Sequence, residues 1–253
     1  MSQLEGKVAV VTGGGRGLGR AYCEALARDG AAVVAADIRD TAETVAAVAA
    51  ANGRITGTAL DTADMESCEA MARHAVDQFG RIDVLINNAA LYGDIQGGRF
   101  DRIEQDEWDR TMAVNVRGVW QCAKACVPAM REAGGGSIIN IASLAAVYGM
   151  PFGLHYATSK AAVIGMTRAL ARELGRDWIR VNAIAPSAVL TEGTDDFFGA
   201  KKDKLLQAVA AGQSLQRNLT TDDLVGTVLY LASDASRLVT GQTLMVDGGT
   251  VFL

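Results

Sequence analysis

The run Lys7-Val-Ala-Val-Val-Thr12 passes directly into Gly13-Gly-Gly-Arg-Gly-Leu-Gly19 and then into a helix-forming stretch over 20–28, and no other feature restricts the folding of this chain as much. A short, Val-rich apolar run reads as a buried strand, and the glycines mark a turn. Strand, glycine turn and helix in this order set backbone N–H groups and a helix N-terminus against a phosphate. Gly13 permits the tight turn, Gly17 admits a pyrophosphate to the backbone, and Gly19 lets helix and strand pack closely. Arg16 and Leu18 lie in the same turn and join it as candidate cofactor contacts. The spacing is Gly-x-x-x-Gly-x-Gly rather than Gly-x-Gly-x-x-Gly, and some glycine turns only reverse the chain.

The alternation then repeats. Apolar runs over 31–36, 55–60, 82–86, 137–141, 179–185 and from 243 onward predict six further strands. Between them, 41–51, 63–79, 106–130, the stretch from Tyr156 to 175, and 221–232 predict helices, with 106–130 read as one long helix. Met65, Cys68, Met71, Ala72, Ala75, Val76 and Phe79 fall at helical spacing and form a core-facing stripe. No linker, repeat or low-complexity segment divides the 253 residues, so 1–253 is read as one domain. Repeated βα units predict an α/β fold with a seven-stranded, parallel, doubly wound sheet flanked by helices. Ligands of such sheets bind beyond the carboxyl ends of the strands, and Gly13, Asp37, Asp61, Asn88, Ser143 and Pro186 all fall at those ends.

Asp37 closes the second strand about 20 residues after the glycines, where a carboxylate accepts hydrogen bonds from an adenosine ribose. It would repel a 2′-phosphate, which argues for NAD over NADP. Arg16 and Arg39 argue the other way, since either could approach a phosphate, and Asp37 could instead cap a helix. Ile38 beside it, and Asp61-Thr62 after the third strand, are further candidate cofactor contacts. Asn87-Asn88 could bind cofactor edges or tie the strand end to its neighbours.

Tyr156 and Lys160 are four apart on a predicted helix and therefore share a face. An ammonium held close to a phenol favours the phenolate and lowers its pKa toward working pH, as an acid–base catalyst needs. Ser143 ends the fifth strand, so its hydroxyl could reach the same point. An ordinary surface pair has the same spacing.

Composition removes other classes. A net charge of −5 without a basic cluster gives no support to nucleic-acid binding. No apolar run spans a bilayer and Met1-Ser-Gln-Leu-Glu-Gly-Lys lacks a signal-peptide core, so a soluble, cytoplasmic chain is expected. Cys23, Cys68, Cys122 and Cys126 match no zinc or redox spacing and read as buried thiols. His74 and His155 are too few and too far apart for a metal site or a hydrolytic triad, and no metal is expected.

Thr12-Gly-x-x-x-Gly-x-Gly19, Asn87-Asn-Ala, Asn115, Ser143, Tyr156-x-x-x-Lys160 and Thr240-Gly-Gln-Thr-Leu-x-Val-Asp-Gly-Gly249, read together, resemble the classical short-chain dehydrogenase/reductase family. The resemblance covers essentially the whole chain. It departs at Ala90, where the family has Gly, and at Ser187, where Pro-Gly is usual. It implies a single-domain Rossmann-type fold, an NAD cofactor and commonly a homotetramer built on the 106–130 and 156–175 helices. It also implies roles. Tyr156 takes the alcohol proton, Lys160 tunes the tyrosine and holds the ribose, and Ser143 orients the substrate oxygen. Asn115 holds a water linking Lys160 to solvent, while Pro186, Val189 and Thr191 border the nicotinamide.

Within the family, His155-Tyr156, Ala185-Pro186-Ser187 and Gly241-Gln-Thr-Leu look most similar to NAD-dependent secondary-alcohol dehydrogenases of the 1-phenylethanol type. Expected substrate walls are Ala145, Tyr148, 92–95, His155, 188–190 and Phe197-Phe198, with 191–218 as a lid; they suit a medium-sized cyclic or aromatic alcohol or ketone. The alternatives are an NADPH-dependent 3-oxoacyl thioester reductase, motivated by Arg16, and a catalytically silent NAD-responsive regulator.

Overall fold

Strand β1 (Val8–Thr12) is buried along its whole length, and so is β2 (Ala32–Asp37). Strands covered on both faces show an unbroken run of small and branched apolar residues rather than alternation, which is the pattern at 8–12 and 32–36. In the computed structural model, which describes residues 2–252, seven parallel strands form one sheet in the order β3-β2-β1-β4-β5-β6-β7. The remaining strands are β3 (Arg54–Ala59), β4 (Val84–Asn87), β5 (Gly136–Ile141), β6 (Ile179–Pro186) and β7 (Thr243–Val246).

Helices α1 (Gly17–Arg28) and α10 (Asp222–Ala232) cover one face, packing Tyr22, Leu26, Leu224 and Val228 on Val11, Val33, Ile86 and Ile139. Helices α3 (Met65–Phe79), α5 (Gly118–Glu132) and α7 (Leu154–Leu174) cover the other. The predicted stripe of α3 is core, with Cys68, Met71, Ala72 and Ala75 buried. All four cysteines are free and buried, and Cys68 and Cys122 touch at 3.7 Å between sulfurs. Helix α2 (Ala42–Ala50) packs on β3 at the sheet edge. No helix among the described residues is long and apolar enough to cross a membrane.

The chain winds outward from β1 to β3, then returns to the other side of β1 with β4. This reversal opens a crevice between the ends of β1 and β4, where Thr12-Gly13 faces Asn87-Asn88.

Two elements differ from the sequence reading. The 106–130 segment is not one regular helix: α4 (Gln105–Met112) and α5 are joined by a π-helical turn, Ala113–Arg117. A single i→i+5 turn lies inside otherwise helix-forming sequence with no Pro to mark it, so the segment reads as one helix. The polar start of the lid, read without regular structure, forms α8 (Glu192–Phe198), with Thr191 as N-cap accepting the Thr194 N–H. Helix α9 (Lys202–Ala211) follows.

Candidate active site

The glycine turn is shaped by contacts from β4. Thr12 Oγ1 accepts the N–H groups of Asn88 and Ala89, both at 3.0 Å. Asn88 Nδ2 donates to the carbonyls of Thr12 (2.9 Å) and Gly13 (3.2 Å), so this side chain ties the strand ends together. Gly13 has φ +67° and Gly17 φ +53°, a region that favours glycine. A Cβ on Gly19 would fall onto the Gly13 carbonyl oxygen. Arg16, the N-cap of α1, makes no side-chain cap, and the first turn carries no acid. The N–H groups of that turn therefore remain for an anion, and these residues fit a dinucleotide phosphate. A cleft of about 500 Å³ opens beside the turn, bordered by Gly17, Arg20, Leu190, Thr191 and Glu192.

Asp37 is held at the end of β2. Its carboxylate accepts the N–H of Gly15 and of Arg39, each at 2.9 Å. Ile38 next to it is 73% exposed, an apolar surface at the rim. Asp61 accepts the Ala63 N–H and turns the chain after β3; the carbonyl of buried Thr62 accepts from Gln121 Nε2 at 2.8 Å. Both arginines near this end pair with carboxylates: Arg16 with Asp196 at 3.2 Å and Arg39 with Asp94 at 3.8 Å.

Ser143 follows β5 and its Oγ accepts the N–H of Ala145, starting the short helix α6 (Ala145–Tyr148). Tyr156 and Lys160 lie on α7, 8% and 4% exposed. Burial pushes the Tyr156 phenol well above its ordinary range; Tyr92 adds to this and a hydrogen bond with Ser143 acts against it. Lys160 Nζ donates to the Ile141 carbonyl at 2.7 Å and stands 5.8 Å from the centre of the Tyr156 ring. Burial pushes the Lys160 pKa down to about 8. The Lys160 ammonium is directed at the Ile141 carbonyl as well as at the tyrosine ring, and burial is the largest cause of the upward shift of the phenol.

Asn115 sits in the π turn, fully buried. Its Oδ1 accepts the Leu91 N–H at 2.7 Å, and its Nδ2 donates to the Leu91 carbonyl and to Ser159 Oγ, both at 3.1 Å. The side chain is bonded on both sides to protein, fixing the loop after β4 to α7.

Around the phenol, Ile95 and Ala145 are buried and Leu91, Tyr92, Met150 and Phe197 pack against them. Tyr92 stacks on Phe197 at 4.6 Å and 20° and lies 5.3 Å from Tyr156. Helix α8 thereby places Phe197 near the tyrosine, with ring centres 6.4 Å apart. Pro186 ends β6, Val189 is buried and its carbonyl accepts from Thr194 Oγ1 at 2.6 Å, and Thr191 caps α8 beside Gly17. His155, expected as a wall, is wholly buried and bonded to Glu107; Tyr148 is largely exposed. Glu107 escaped the sequence reading because an acid in the first turn of a helix is already accounted for by the helix dipole.

A phosphate-binding turn at the switch point, with a buried tyrosine and lysine and a half-buried serine beside it, defines a nucleotide-dependent oxidoreductase. A family model described as enoyl-(acyl carrier protein) reductase matches residues 13–251. The chain is 36% identical to 3-oxoacyl-[acyl-carrier-protein] reductase FabG of Thermotoga maritima over 98% of its length and 99% of that protein. Carveol dehydrogenase from Mycobacterium avium, in complex with NAD, superposes with a TM-score of 0.93 at 33% identity, covering 99% of both chains. A protein described as an NAD(P)-dependent gluconate 5-dehydrogenase from Beutenbergia cavernae, with bound NADP, gives 0.91 at 35% identity and 98% of both. The chain belongs to the classical short-chain dehydrogenase/reductase family, whose members bind a nicotinamide cofactor.

Proposed function

We propose that this protein interconverts a secondary alcohol and a ketone with NAD(H), acting in the cytoplasm on a medium-sized cyclic or aromatic substrate. The observation that carries the reading is the half-buried Ser143 with the buried Tyr156 and Lys160 beside an uncapped α1 N-terminus. Tyr156 passes the proton between its phenol and the substrate oxygen, and Ser143 donates a hydrogen bond to that oxygen. Lys160, with a pKa near 8, is largely protonated at neutral pH and places its charge under the tyrosine ring. Gly13, Arg16, Gly17, Leu18 and Gly19 hold the pyrophosphate side of the cofactor. Asp37, Ile38, Asp61, Thr62 and Asn88 border the adenosine side, and Pro186, Val189, Thr191, Tyr156 and Lys160 the nicotinamide side. The bound nicotinamide supplies or accepts the hydride.

Preference for NAD is supported by Asp37, oriented by two backbone N–H groups, and by the pairing of Arg16 and Arg39 with carboxylates. An apolar, aromatic substrate is supported by the shell of Tyr92, Ile95, Ala145, Met150 and Phe197, and by the likeness to a carveol dehydrogenase. A homotetramer is supported by an exposed groove of about 830 Å³ along α4, the π turn and α5, lined by Met112, Val116, Trp120 and Met166. The second reading, NADPH-dependent reduction of a 3-oxoacyl thioester, is favoured by the identity with FabG. The deciding experiment titrates the protein with NADH and NADPH and then follows reduced-nicotinamide absorbance over a panel of secondary alcohols. Tighter binding of NADPH, or turnover of thioesters alone, would replace the first reading by the second.

A further inference from the structure

Glu107, in the first turn of α4, holds two segments with a single oxygen atom. Its Oε1 accepts the backbone N–H of Gln96 at 2.6 Å and meets His155 Nε2 at 3.2 Å. Gln96 follows Ile95, which is buried against Tyr156 together with Tyr92. His155 immediately precedes Tyr156 on α7. One carboxylate oxygen therefore joins the loop that carries the substrate wall to the helix turn that carries the reacting phenol.

His155 supports this reading from its own side. It is 0% exposed, and its Nδ1 is buried without a hydrogen-bond partner. A carboxylate oxygen that already accepts the Gln96 N–H also accepts from the ring, so Nε2 is assigned as the donor. A ring with one nitrogen unpaired fills a core poorly, and buried polar atoms of this kind call for an explanation. Its bond to Glu107 provides one. The loop is otherwise anchored by Asn115 at Leu91 and by Phe152 at Gly98, where the Gly98 N–H meets the Phe152 carbonyl at 2.9 Å. Glu107 grips it between these points, next to Ile95.

We infer that Glu107, through Gln96 and His155, is a positioning residue that sets the gap between the Tyr92–Ile95 wall and the Tyr156 phenol, and so the size of ketone accepted. The substrate part of this inference rests on the proposed alcohol/ketone activity; the clamp itself does not.

The test compares wild type with Glu107→Ala, Glu107→Gln and His155→Phe. Two readouts are used: hydrogen–deuterium exchange over 91–99, and NADH-dependent kinetics with butan-2-one and acetophenone. In Glu107→Ala, exchange over 91–99 rises at least about tenfold while β5 and β6 stay protected. KM for acetophenone rises about tenfold, kcat changes less than about threefold, and butan-2-one is barely affected, as expected for a displaced wall. Glu107→Gln, which keeps an acceptor for Gln96, recovers most of the protection. If Glu107→Ala does not fold, His155→Phe, which retains ring volume, shows the same changes at smaller size. Unchanged exchange over 91–99, or equal losses with both ketones, overturns the inference. If wild type reduces neither ketone, the proposed activity fails and the exchange measurement alone decides the clamp.

Discussion

Lys160 Nζ donates to the carbonyl of Ile141, the last residue of β5, at 2.7 Å, which ties the middle of the site to the sheet by one buried ammonium. The bond explains how a nearly unexposed lysine is tolerated: its charge is directed at a strand-end carbonyl and at the face of Tyr156.

The cost of that burial is readable in the pH dependence of stability. Lys160 has a folded pKa of about 8 against an ordinary 10.5. Because the unfolded chain binds this proton more tightly, the penalty is complete below pH 8. Stability then rises between pH 8 and 10.5, and the penalty is gone above that range. The full span corresponds to about 3 kcal/mol. Lys160→Met should flatten this rise in urea titrations run at pH 7.5, 9 and 10.5; an unchanged slope would assign it to another group.

Tyr156→Phe removes only the hydroxyl and leaves the ring packed against Tyr92 and Phe197. Turnover should fall by about 10²–10⁴, the range for a lost general acid–base. NADH affinity, measured by fluorescence, should stay close to wild type. Activity near the wild-type level in this variant would contradict the proton-transfer role.

Asp37 accepts two backbone N–H groups, one on each carboxylate oxygen, so replacing it by Asn removes the charge and keeps one of the two hydrogen bonds. Asp37→Asn should tighten NADPH binding by about tenfold, because repulsion between the carboxylate and a phosphate disappears. Competitive titration of both reduced cofactors measures the ratio, and a ratio that does not move would mean that Asp37 does not face the ribose.

Gly19 lies where a Cβ would strike the Gly13 carbonyl oxygen, and backbone cannot yield as a flexible side chain does. Gly19→Ala should lose about 1–3 kcal/mol of stability by overpacking and should also weaken NADH binding as α1 shifts. Denaturant melts with and without NADH separate the two effects. A stable variant with full affinity would show that α1 and the turn are less tightly apposed.

Much of this protein was open to reading along the chain. The seven strands, the winding of the sheet and the stripe of α3 follow from local apolar period and glycine position. The residues at the strand ends follow too, since a parallel sheet puts every such end on one side. Less was open where a contact joins distant segments. Asn88, left undecided between cofactor contact and strand tie, has its side-chain nitrogen bonded to Thr12 and Gly13. Asn115 lies in a π turn that its helix-forming neighbours do not mark, and His155 is buried against Glu107.

By itself the sequence determined which segments are strands and helices, in what order they come, and which chemical groups stand at the sheet's carboxyl edge, because each depends on neighbours a few residues away. Only the tertiary structure decided what those groups do to one another. It turned Lys160 toward Ile141, pressed Phe197 onto Tyr92, paired Arg16 with Asp196 and joined Glu107 to both Gln96 and His155. Desolvation and hydrogen bonding between residues far apart in the chain arise only once the packing has closed, and no local pattern carries them.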